Sequence, residues 1–114
     1  MTMATSKIKA PMTTTTLFEA TNKIDDGTAT LSEAYTNFDA IEFHFKVNSD
    51  WTHKMVLSSD IILNEKYSET IWAGSNYVAA CTYKFTSATS ITLVSAYTNA
   101  NFKLGLQRVI GINF

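Results

Sequence analysis

Proline occurs once in this chain, at Pro11, glycine four times, and cysteine once, at Cys81. One cysteine excludes an internal disulfide framework. Secreted domains of this size commonly rely on such bridges, so the chain is expected to fold in a reducing cytoplasm, that of the cell that makes it. Basic residues are few as well. Nine Lys and Arg stand against ten Asp and Glu, for a net charge of −1. They are scattered, so no basic field forms to hold a nucleic-acid backbone, and nucleic acid is not an expected partner. No apolar run is long enough to span a bilayer, which excludes a membrane helix. The stretch from Met1 to Pro11 has no apolar core, so no secretory signal is expected.

What the chain has in abundance is threonine, with seventeen Thr and ten Ser among 114 residues. Threonine is β-branched and favours strands, where its methyl packs and its hydroxyl stays wet. The hydrophobic fraction of 46% is enough for a packed core. The length holds one domain, expected over residues 14–114 behind a flexible leader at 1–13.

The clearest pattern is Ala40–Val47, where Ile41, Phe43, Phe45 and Val47 alternate with Glu42, His44 and Lys46. Period two puts the apolar set on one face of a strand and the polar set on the other. Shorter strands are expected at Thr15–Ala20, Thr28–Leu31, His53–Leu57, Ile61–Leu63, Thr70–Trp72, Tyr77–Thr86, Ser90–Ser95 and Leu106–Asn113. Asp25-Asp26-Gly27, Asn48-Ser49-Asp50 and Ala73–Asn76 carry turn chemistry between them. Ser32–Asn37 is the one plausible helical turn, with Ser32 as its cap. In the last strand Leu106, Arg108, Ile110 and Ile112 are expected on one side and Val109 on the other. Such spacing predicts an all-β fold, a small antiparallel β-sandwich or jelly-roll-like domain of about seven to nine strands with at most one short helical turn.

Catalytic chemistry is hard to place. His44 and His53 could face one another across a hairpin, but zinc needs further ligands around one point, and none can be placed from the sequence. They are taken as polar-face strand residues, and no metal is assigned. Cys81 lies mid-strand with no charge beside it in sequence and is expected in the core rather than as a nucleophile. Glycoside hydrolysis needs two carboxylates facing across a cleft, and most acidic residues here fall at turns. No nucleophile elbow and no Gly-rich phosphate loop is present, so neither an enzyme nor a cofactor is expected. The aromatics are more suggestive. Trp51 beside Asp50, and Trp72 and Tyr77 around Asn76, sit at expected turns. There, rings can stack on sugar faces while Asp and Asn bind hydroxyls.

Several segments in order carry a resemblance: Leu17-Phe18-Glu19, Gly27-Thr28-Ala29-Thr30-Leu31-Ser32-Glu33, Asn37-Phe38-Asp39-Ala40-Ile41-Glu42-Phe43, Ser90-Ile91-Thr92-Leu93 and Gln107-Arg108-Val109-Ile110-Gly111-Ile112. Together they resemble the small C-terminal β modules of bacteriophage and prophage tail-fibre and baseplate structural proteins from Gram-positive hosts. The resemblance spans Leu17–Ile112, apart from a middle stretch, Trp51–Thr70, that does not align. It implies a virion structural module at a tail fibre or baseplate tip, assembled as a homo-oligomer, a trimer by preference, with other tail proteins. It also implies contact with a host surface polysaccharide. The alternative is a free-standing bacterial carbohydrate-binding module. Gly111 in the closing strand is expected to admit another backbone closely or to permit a bulge.

Overall fold

The computed structural model describes residues 11–72, 78–95 and 103–114. Over these the chain forms eight strands: β1 (Thr13–Ile24), β2 (Gly27–Thr30), β3 (Ala40–Val47), β4 (Asp50–Leu57), β5 (Tyr67–Trp72), β6 (Val78–Ser87), β7 (Ser90–Ser95) and β8 (Gly105–Asn113). All pair antiparallel, in two sheets ordered β1-β8-β3-β4 and β2-β7-β6-β5. The expected all-β sandwich is the architecture found. Among the described residues the helical content is two 3-10 turns, Tyr35–Asn37 and Ser58–Asp60, where the sequence led us to expect at most one. Among the described residues no helix is long and apolar enough to cross a membrane.

The alternating segment forms β3 over the expected residues. Ile41, Phe43, Phe45 and Val47 are buried between the sheets, where they meet Ala79, Cys81, Tyr83 and Phe85 of β6 and Ile91 and Leu93 of β7. Each fully buried aliphatic or aromatic side chain contributes roughly 1.5–3 kcal/mol. Phe43 lies at the centre, with its ring 5.2 Å from Tyr83 and 6.0 Å from Phe85.

The bend after β2 ties the two sheets together. Leu31 N–H donates to Thr89 O at 2.7 Å, in the β6–β7 turn, and Ser32 N–H donates to Leu17 O at 2.8 Å, in β1. Ser32 therefore does not cap a helix. The following 3-10 turn starts after Ala34, with no side-chain cap.

Other departures have local causes. β1 is longer than expected because its outer half pairs along β8, from Thr13↔Asn113 to Ile24↔Leu106. β4 begins at Asp50, because the β3–β4 turn needs only Asn48 and Ser49; Asn48 takes the left-handed conformation (φ 53°) that asparagine tolerates. Ile61–Leu63 is not a strand: Ile61 fills the core and Ile62 and Leu63 stay exposed. A register shift beside Gln107 brings Leu106 and Val109 both inward, leaving Arg108 opposite His44 on the outer face. The strict alternation expected for this strand fails at that bulge.

Candidate functional site

The outer face of the first sheet gathers charged and aromatic side chains that period two places together. Direct cross-strand pairing sets Lys46 against Trp51, His44 against His53 and Glu42 against Met55. Arg108 of β8 pairs with His44, and Glu19 of β1 with Arg108.

Trp51 stands in strand β4, not in a turn, with 40% of its surface open. The Lys46 ammonium lies 5.1 Å and the Arg108 guanidinium 5.7 Å from its ring centre, both within cation–π range. The His53 ring meets it edge-on at 6.4 Å. Arg108 also pairs through Nε with Glu19 Oε2 at 3.3 Å.

His44 is the one buried polar residue among those described, 7% exposed. Its Nε2 lies 2.6 Å from Glu42 Oε1, and its Nδ1 lies 3.4 Å from Arg108 Nη1. A guanidinium only donates, so Nδ1 accepts and the ring hydrogen sits on Nε2, facing Glu42. The His44 and His53 rings stack at 3.9 Å with 9° between their planes. The two histidines thus do face one another across the hairpin, and the structure adds a carboxylate beside them that the sequence did not single out.

On the far side of Lys46 from Trp51's strand, a groove of about 350 Å³ is lined by Thr21, Asn22 and Lys23 of β1, Lys46, Asn48 and Gln107. Every lining residue is polar by type, so donors and acceptors alternate with the carbon stems of the same side chains. Lys23 is held there by donating to Lys103 O at 2.7 Å and pairing with Asp25 at 3.5 Å; Gln107 Nε2 donates to Ala20 O. A second hollow of similar size lies at the opposite end of the sandwich, beside Phe38, Asp39 and Ser58.

The sequence-predicted sugar contacts do not converge. Trp51 and Asp50 begin β4, whereas Trp72 ends β5 in the other sheet. Ile71 packs on the core opposite Ala79, so Trp72, 67% exposed, turns to the outer side of its own sheet. The two tryptophans face opposite sides of the sandwich and cannot grip one ligand. Asn76 and Tyr77 lie outside the described residues.

Cys81 is fully buried, as expected. Burial, with a smaller contribution from Asp25, pushes its thiol up to about 12. That is the opposite of what a nucleophilic cysteine requires.

No protein-family model matches the chain, and no curated protein sequence matches it significantly.

Proposed function

We propose that the chain is a non-catalytic recognition module that binds an acidic surface saccharide on the outer face of its first sheet. The carrying observation is the half-open Trp51 ring, pinned by Lys46 and Arg108, with Lys46 also lining the groove of polar residues. A pinned aromatic supplies a stacking edge at low entropic cost, the amides of Asn22, Asn48 and Gln107 suit hydroxyls, and the two cations suit a carboxylate or phosphate on the sugar.

The resemblance to phage tail modules favours a place at a fibre or baseplate tip. Strand geometry supports this. Thr13 and Asn113 pair at one end of the sheet, while Lys23 and the β3–β4 turn lie at the other, about 30 Å away along β1. A module joined to a particle through either chain end would hold its groove outward. Exposed Met55 and Leu57 on edge strand β4, and Val94 on the other sheet, suit burial against further copies, and the resemblance makes that assembly a trimer.

The test is binding of cell-wall polysaccharides, followed by intrinsic fluorescence. Saturable binding by acidic polysaccharides that fails in Trp51→Ala supports the reading; indifference of binding to that substitution removes it. Mass in solution separates a virion trimer from a free-standing monomeric carbohydrate-binding module.

A further inference from the structure

We infer that Glu42, His44 and His53 form a binding site for one divalent transition-metal ion, with zinc as the chemical type. The inference does not rest on the saccharide reading. One strand contributes Glu42 and His44 two residues apart, which places both on one face. The neighbouring strand contributes His53 directly opposite His44. Their ligand atoms all lie within 4.8 Å of one another. Donors around a tetrahedral zinc at bond lengths near 2.1 Å sit about 3.4 Å apart, so closing the site takes a ring rotation of His53 and a slight spreading of the Glu42–His44 pair.

The group that must move most is His53, whose ring stacks on His44 and meets Trp51 edge-on. His53 is exposed on an edge strand, and tilting its ring out of the stack turns its lone pair toward the point between His44 and Glu42. His44 and Glu42 already touch through the atoms that would ligate. Two imidazoles and one carboxylate are a common zinc donor set that leaves a fourth position for water or another ligand.

The competitors also face the site. A metal on His44 Nε2 displaces the hydrogen held there. In the bound neutral ring that hydrogen resides on Nδ1, which can then no longer accept from Arg108. Arg108 keeps Glu19 as its partner. Lys46, two residues along β3, stays engaged with Trp51. Protons compete for both imidazoles, so affinity falls as the solution is made more acidic.

The experiment is calorimetric titration of the tag-free chain with zinc, and separately with cobalt(II) followed by visible absorption. The expected result is one ion per chain, imidazole nitrogen ligation in the cobalt spectrum, and a rise in melting temperature with zinc. His53→Ala, an exposed change that leaves the core intact, and Glu42→Gln, which keeps the side-chain shape, should each weaken binding at least tenfold (an order-of-magnitude expectation for loss of a ligand). Absence of saturable binding up to about 1 mM zinc overturns the inference. So does binding that survives unchanged in both variants.

Discussion

The ring of Phe38 occupies the space that a side chain on Gly111 would need. A Cβ at residue 111 would meet three ring carbons of Phe38 at 2.6, 2.7 and 2.8 Å. The expected close approach at this glycine is therefore real, but its partner is an aromatic ring just after the 3-10 turn rather than another backbone. Gly111→Ala should cost about 1–3 kcal/mol, the usual range for overpacking. In a Phe38→Ala background the same change should cost under about 1 kcal/mol, because the clash is gone. Urea denaturation of the four-member cycle measures this, and additive effects would refute the contact.

Trp51 and Trp72, alike in sequence, should behave differently. Trp51→Ala should abolish saccharide binding, whereas Trp72→Ala should leave it intact, since that ring faces the other way. Neither ring belongs to the core, so both variants should melt within a few degrees of the parent. Binding isotherms and thermal melts on the same preparations decide it.

Arg108 pins Trp51 while holding Glu19 and His44. In a Trp72→Phe background, Trp51 is the only tryptophan. Adding Arg108→Ala there should raise its acrylamide quenching and shift its emission to the red. Glu19→Gln alone should cost less than about 1 kcal/mol, because that ion pair is largely exposed. An unchanged quenching constant in the Arg108 variant would show that the ring is held by something else.

Stability should fall in alkali. The Cys81 thiol is raised from its ordinary 9.0 to about 12 in the folded state, and burial also raises the Tyr83 hydroxyl above its ordinary 10.0. Above pH 9 the unfolded chain loses the Cys81 proton that the native state keeps. Unfolding is then favoured by about 1.4 kcal/mol per pH unit. Tyr83 adds a similar slope from pH 10. In Cys81→Ala the decline should begin only near pH 10, and a loss starting at pH 9 in that variant would contradict the assignment. Native Cys81 should also resist thiol reagents at pH 8.

Much of the fold was legible because strand periodicity is a local signal. β3 and β7 fall on the expected residues. Legibility ended where a partner strand decides. The bulge beside Gln107 depends on how β8 meets β3, and the length of β1 on how far β8 accompanies it. The site was half legible for the same reason. Two histidines on adjoining strands could be expected to meet, and period two sets Glu42 beside His44, but Arg108, arriving from 64 residues away, belongs to the tertiary pairing. The opposite facing of Trp51 and Trp72 follows from strand parity only once the strand start at Asp50 is known.

The central position of β8 bears on how the protein is made. β1 and β3 both pair with β8, the last of the described strands in chain order. The β5–β6–β7 meander can assemble from neighbouring segments while translation continues. Until residues 105–113 emerge, the other sheet exists only as β1 and a separate β3–β4 hairpin, each with an unsatisfied edge. Completion of this sheet therefore waits for the segment that follows all of its other strands. The interval before it is when the nascent chain is most prone to pair with its neighbours on the same message.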